Sequence, residues 1–570
     1  MHVNDSAPDA APNDKSGPSD PAGPLRTVAE ATAYRATSLH ADVVAFIEQL
    51  ARRCAAEGVT TLDVQSMGAT PEGRQLPVLV LSADRCFTPE AAHAAADREG
   101  RPIVLILCNI HAGEVEGKEA ALMLAREITL GGFTRLATGA TLVLVPIYNA
   151  DGNDRISKDN RVIDLRLMDG QSGPDDGVGT RYTGEGLNLN RDYTKMEAPE
   201  TRLLSALFGK WNPHVFVDSH TSNGSPHAYA LTYDTAHTLL SGPPEPILFT
   251  RDRLLPAIEQ GLLNRTGLRT WFYGNFRDND DPTSGWETYP GLPRYGSHYR
   301  GLTGRLDILL EAYSYLPFEE RVRATYEIFV EILDQVALRG REIVAVCARA
   351  AADTVARGRA PQPDDVIGIN YGVPRRKSDG SLVYDYPAYP LWKTEIAAWN
   401  AEEMRARKLT DGQLTYWKCD FLARFLPTTS VRRPRAYVFP AERGDVAEFL
   451  RAHNVDVTTV GDLAGTRRIE RYIVLAKEPT HSPDVGYDAR EETVLHVRRE
   501  TLDRELAADD FLVDMAQPLA NVAIYLLEPE SDDGMARWGH FDECEPGDAF
   551  PVVRILADAL LSPPPRIKVE

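Results

Sequence analysis

Cysteine is scarce in this chain, and it is scattered. Cys54, Cys86, Cys108, Cys347, Cys419 and Cys544 are the six in 570 residues, and no C-x-x-C pair occurs. A chain this long does not need disulfide staples, so buried free thiols are expected. No uninterrupted run of ~18 apolar residues exists, so no membrane span is expected. Positive charge is in deficit as well. The 62 basic residues face 83 acidic ones, for a net charge of −21. That argues against a nucleic-acid partner but leaves room for a local cationic pocket. The opening stretch, "MHVNDSAPDAAPNDKSGPSDPAGPL", lacks the apolar core of a secretory signal. Residues 1–28 are rich in Pro, Asp, Ser and Ala and are expected to be disordered, and the location is expected to be cytoplasmic. No internal repeat is visible.

What is present is alternation of strands and helices. "SLHADVVAFIEQLARRCAAEG" has apolar residues at helical spacing and stops at a glycine. "VTTLDVQSMG" and "RQLPVLVLSA" read as strands joined by the turn "ATPEGR". "PIVLILCNI" and "TLVLVPIYN" are nearly continuous apolar runs, as expected of central strands covered on both faces. "APETRLLSALFGKW" puts Leu203, Leu204, Leu207, Phe208 and Trp211 on one helical face and leads into a short strand, "VFVDSH". Such alternation predicts an α/β sheet. At 570 residues, two folded domains are the natural expectation. The boundaries predicted are 29–358 for a first domain, 359–379 for a turn-rich linker, and 380–570 for a β-rich second domain. In that domain "YVFP", "RYIVLA", "ETVLHV", "NVAIYLLEP" and "FPVVRIL" read as strands and "GDVAEFLRAH" as a helix.

The apolar run "PIVLILCNI" ends at His111, with Glu114 three residues on. H-x-x-E alone is weak. With 83 acidic residues in 570, about one histidine in seven carries one at that spacing by chance, and His540 with Glu543 is a second copy. Position is the better argument. In open α/β sheets, ligands gather at the carboxyl ends of strands. "VFVDSH" ends at His220, "RLDILLE" alternates and ends at Glu311, and "TLVLVPIYNADG" ends at Asn149 and Asp151. Four strands thus deliver polar groups to what could be one sheet edge. Zinc hydrolases use three protein ligands and leave a fourth position to water. His111, Glu114 and His220 would supply such a set, and Glu311 would be free to act as general base. The loop "GTRYTGEGLNLNRDY" adds Arg181, Asn190 and Arg191, and guanidinium groups bind carboxylates two-point and stabilise oxyanions.

From about Tyr34 to Phe318 the chain resembles the zinc metallocarboxypeptidases related to carboxypeptidase A. The resemblance rests on "GATPEGRQLPVLVLS", "NIHAGEVEGKEA", "PIYNADG", "GTRYTGEGLNLNRDY", "VDSHT" and "ILLEAYSY", in the family's order and approximate spacing. "MAQPLANVAIYLLEPESDDGMARW" looks like the C-terminal extension of a bacterial subgroup. The resemblance implies a three-layer sandwich around a mixed sheet and one zinc per chain held by His111, Glu114 and His220. It also implies Glu311 as general base and Arg181 as the group that polarises the scissile carbonyl. Asn190 and Arg191 would grip the substrate's terminal carboxylate, and Tyr289 would be the mobile tyrosine over the pocket, with Tyr295 and Tyr299 in competition. One departure is visible. Asn188 stands where the family usually has an acidic residue hydrogen-bonded to the first zinc histidine. Arg294, near the aligned pocket segment, suggests a taste for acidic side chains.

The reading that follows is a zinc-dependent carboxypeptidase-type hydrolase, cleaving C-terminal peptide bonds of a substrate with a free carboxylate. Two other readings stay open. One is a zinc amidase or deacylase acting on small acylated amino acids or cell-wall peptides. The other is a catalytically silent binding protein on the same fold.

Overall fold

The computed structural model describes residues 23–222, 224–481 and 491–556. Most of the expected disordered segment, residues 1–22, lies outside them. The rest of that segment departs from the expectation. Leu25 is buried, and Thr27 caps the short helix Val28–Ala31 through a reciprocal pair with Glu30.

The uninterrupted apolar runs become the middle of a sheet. Its strands belong to the series β1 Leu62–Ala69, β2 Gln75–Leu81, β3 Ile103–Cys108, β4 Thr141–Val145, β5 Val215–Thr221, β6 Leu231–Asp234, β7 Thr270–Phe272, β8 Asn275–Asp278, β9 Asp281–Glu287 and β10 Leu306–Ala312. The order is β1-β2-β4-β3-β5-β10-β6-β7, while β8 and β9 join another sheet. β3, β4 and β5 are buried at every residue, as strands with both faces covered must be. The four central strands run parallel, and β1, β2 and β6 join antiparallel, so the sheet is mixed.

The helices that matter are α1 His40–Glu57, α2 Pro89–Glu99, α3 Glu116–Thr129, α4 Pro199–Trp211, α5 Leu255–Thr266, α6 Gly296–Leu302, α7 Phe318–Leu338 and α8 Gly340–Arg359. α3 packs against α1 and α7, and α7 against α5. α2 packs against α8, and His93 of α2 bonds the Trp211 carbonyl at the end of α4. The helices stop where the backbone demands it: α1 ends at Gly58 and α4 at Asn212, both in the left-handed region. α3 packs so tightly on β5 that a Cβ at Gly117 would sit 2.6 Å from Ser219 Oγ. Only glycine allows that approach.

The β-rich remainder differs from the expectation in three respects. The stretch expected as a linker contains the strands Val366–Asn370 and Val373–Arg376, each paired within a sheet. Its prolines and glycines punctuate short strands rather than an open connection. "NVAIYLLEP" contains a helix, Ala520–Leu527, buried at every residue. A short apolar run buried all round carries no period with which to tell strand from helix. Finally, the two parts share one core. A single cluster of buried apolar residues runs from Leu25 to Val552, and the strand Thr415–Arg424 pairs with β9.

Candidate active site

β3 ends at Cys108, and Asn109 turns the chain in the left-handed region (φ 66°). The amide of Asn109 reaches forward to the Ala112 carbonyl, and Glu114 N–H donates to the His111 carbonyl at 2.9 Å. This tight turn points His111 and Glu114 the same way before α3 begins. β5 delivers His220 and β10 delivers Glu311 as its direct register partner.

The three expected ligands converge. Glu114 spans the two rings, one oxygen 3.0 Å from His111 Nδ1 and the other 3.0 Å from His220 Nδ1. The two Nδ1 atoms are 3.2 Å apart, and one ligand atom from each residue lies within 4.8 Å of the others. An oxygen lies beside the far nitrogen of each ring. Asn188 Oδ1 lies 3.3 Å from His111 Nε2, and Asp218 Oδ2 lies 3.2 Å from His220 Nε2. A metal-ligating histidine is held in this way, with the outer partner fixing tautomer and ring. Two imidazoles and a carboxylate, all buried and converging through one atom each, fit zinc.

Among protein groups alone the charges are uneven. Burial first, then the Arg181 guanidinium, hold His111 well below the ordinary imidazole range. His220 goes the other way: burial opposes its charge, but Asp218 and Glu114 raise it well above. Glu114 is driven well below its usual range; burial alone would raise it, but His111 and Arg161 outweigh that. Glu311 is pushed up to about 8, mainly by burial, with the Glu114 charge adding to it and His220 opposing.

Around this cluster lies a cavity of about 230 Å³. Arg181, Asn190, Arg191, Tyr289 and Glu311 all line it, so every expected site residue is in one place. Arg181 Nη1 is 3.5 Å from Glu114 Oε1. The Asn190 side-chain oxygen accepts from Gly296 N–H at 3.0 Å, and the Arg191 guanidinium lies over the Tyr295 ring at 4.2 Å. Tyr289 packs edge-on against Tyr295 and Tyr273, and all three rings line the cavity. Of the competing tyrosines, Tyr295 shares the cavity, whereas Tyr299 bonds His453 at 2.7 Å outside it.

Residues 44–237 match the zinc carboxypeptidase family. The match covers about a third of the chain. The matched stretch carries the His-Glu-His cluster, Arg181, Asn188, Asn190 and Arg191, and stops short of Tyr289 and Glu311. Carboxypeptidase D of Mus musculus is 33% identical over 160 residues, covering 24% of this chain and 11% of that protein. The Rattus norvegicus protein of the same name is 32% identical over 160 residues. The chain thus spans about a tenth of the length of these relatives. Among solved structures, a metallo-carboxypeptidase from Burkholderia cenocepacia is 18% identical with a TM-score of 0.35, covering 50% of this chain and 68% of that one. A metallo-carboxypeptidase from Pseudomonas aeruginosa is 17% identical with a TM-score of 0.35, covering 52% and 69%.

Several residues stand apart from the expectation. Asn149 and Asp151 do not line the cavity. Asn149 bonds the Ile110 and Arg181 carbonyls, and Asp151 pairs with Thr70 and Arg74, so they brace the neighbouring loops. Arg294 does not reach the cavity either. It is buried against Asp533 (2.7 Å) and Glu492 (2.9 Å), with Trp538 under its guanidinium, so it is in no position to select acidic substrates. His540 packs on Phe449 and Glu543 pairs with Arg443, and neither joins the metal cluster. Arg161 is the residue that sequence reading missed. Its Nη1 lies 3.0 Å from Glu114 Oε1, next to Arg181. It sits in the loop-like stretch "ISKDNRVIDLRLMDG", which offers no motif to flag it.

Proposed function

We propose that this chain is a zinc-dependent metallocarboxypeptidase that releases the C-terminal residue of a peptide. The observation that carries the reading is the meeting of a His-Glu-His cluster, a register-paired Glu311 and the Asn190-Arg191 pair in one cavity. His111, Glu114 and His220 would hold zinc, which when bound supplies a Lewis acid for the carbonyl and acidifies water.

The rest is done by the chain's own groups. Arg191, with Asn190 beside it, would bind the substrate's terminal carboxylate by charge-assisted hydrogen bonds and so fix which peptide bond faces Glu311. Arg181 would donate to the carbonyl oxygen as negative charge gathers there. Glu311, ionised, would take the proton of the attacking water on a carboxylate oxygen and return it to the leaving amine. Burial favours its neutral form, and a metal held by His111, Glu114 and His220 would favour the ionised form. Tyr289, Tyr273 and Tyr295 wall the cavity with aromatic surface and limit water.

The test pairs one peptide as its free acid with the same peptide amidated. The protein should hold about one zinc per chain, the count one such site allows. Chelation should abolish hydrolysis, zinc should restore it, and the amide should lose about 2–5 kcal/mol of transition-state binding, the scale of an unpaired buried charge. Equal rates on both peptides would remove the carboxylate grip, and full activity after chelation would remove the zinc.

A further inference from the structure

α6 has two cavities along its length. Its first residues, Gly296 and Ser297, line the zinc-site cavity. Its last turn, with Tyr299 and Arg300, and Thr303 just past its end line a second cavity of about 260 Å³ that shares no residue with the first. The rest of that wall comes from α4, through Ser205 and Phe208, and from the β-rich part, through His453, Asn454 and Gln517.

Arg300 is the anomaly there. It is 3% exposed, yet its five N–H donors make one long hydrogen bond, from Nη2 to the Pro213 carbonyl at 3.5 Å. Its Nε has no partner, and its guanidinium lies over the Phe208 ring at 4.3 Å. Arg305, half-buried on the same wall, gives its Nε to Asn212 Oδ1 at 2.9 Å. Neither arginine forms an ion pair among the described residues. Tyr299 and His453 bond each other, and the acidic lining residue, Asp456, is exposed. The buried carboxyl of Asp307 acts on Arg300 but forms no ion pair with it, and a guanidinium withdrawn from water without a direct partner is one of the costlier arrangements in a protein interior. Three other buried arginines are paired: Arg294 with Asp533 and Glu492, Arg433 with Asp365, and Arg554 with Glu528. Two guanidinium forks without an ion pair, both lining one concavity, present the donor groups that oxyanions accept.

We propose that this second cavity is a binding site for a small oxyanion, a phosphate or carboxylate group, held by Arg300 and Arg305. The ligand would sit at the seam between the carboxypeptidase-like part and the β-rich part and supply the direct ion pair that the described residues do not. This goes beyond the proposed hydrolysis and does not rest on it.

The test is calorimetric titration of the full zinc-loaded chain at fixed ionic strength, with inorganic phosphate in one arm and acetate in the other. A saturable site of one ion per chain is expected, with a thermal midpoint that climbs with ligand concentration. Tighter phosphate binding assigns the site to phosphate groups, and tighter acetate binding assigns it to carboxylates. Arg305→Gln should weaken binding by about tenfold or more, the scale of one lost charge-assisted contact. Arg300→Gln should do the same, and the half-buried Arg305 carries the test if that variant does not fold. Arg191→Gln, which alters only the other cavity, should leave this binding intact. The proposal is overturned if neither ion saturates, if Arg305→Gln binds as the native chain does, or if binding is lost in Arg191→Gln and kept in Arg305→Gln.

Discussion

Asn188 offers a sharp perturbation of the proposed zinc site. Its Oδ1 lies 3.3 Å from His111 Nε2, while the equivalent partner of His220 is the carboxylate of Asp218 at 3.2 Å. Asn188→Asp would give both ligating rings a charged acceptor without changing side-chain shape. The new charge would act across one imidazole, roughly 7 Å from a dication, which is ~1 kcal/mol in bulk water and ~5 kcal/mol at an effective dielectric of 20. Because Asn188 is 4% exposed, desolvation of the new carboxylate subtracts from the upper figure. The net expectation is zinc held ~10–100-fold more tightly, the range typical of such outer partners. The added negative charge also makes the site a weaker acid, so the acid limb of the pH–rate profile should move to higher pH. Competition with a chromophoric chelator measures the first effect, and hydrolysis rates across the acid range measure the second. An unchanged zinc affinity together with an unchanged acid limb would refute the coupling between Asn188 and His111. Asp218 would then be left as the carboxylate that tunes the site.

Two other outcomes are expected. Glu311→Gln should keep its zinc and lose turnover by at least the ~10²–10⁴-fold of a missing general base, and near-native turnover would strip Glu311 of the role. Asp307, buried on β10 below the cavity, has its carboxyl pushed up to about 8, chiefly by burial. A folded value above the unfolded one (~3.9) means its contribution to stability is full below about pH 4 and is lost as pH rises through the folded value. Asp307→Asn should therefore lose less thermal stability than the native chain between about pH 5 and pH 9, and parallel curves would show that Asp307 does not carry this dependence.

The site was more legible in the sequence than the β-rich part, for a physical reason. His111, His220 and Glu311 each follow an apolar run, and a buried parallel strand must end in the cleft where ligands collect. The side-chain geometry at those three strand ends agrees with that inference. Asn188 was found by comparison with a family pattern, and its contact with His111 bears on the same cluster. Arg161 left no trace, because a loop arginine is ordinary until its neighbours are known. Arg294 misled for the same reason. Nothing local in sequence announces Asp533, its partner 239 residues away. The segment Ala520–Leu527 was read as a strand because full burial erases the periodicity that separates the two kinds of element.

The clasp on Arg294 also limits how this protein could be shortened. The next residues, Tyr295 and Gly296, touch Arg191 and Asn190 in the cavity. Arg294 is anchored through Asp533 and Glu492, both beyond the region that matches the carboxypeptidase family. Removing one partner of such a buried pair typically costs ~3–5 kcal/mol, and cutting away the β-rich part would remove both carboxylates together. A truncated chain would keep His111, Glu114, His220 and Glu311 and still lose the footing under one wall of the pocket. The matched region is thus tied to the β-rich part, and a swap or deletion made hundreds of residues downstream would be felt at the wall formed by Asn190, Arg191 and Tyr295.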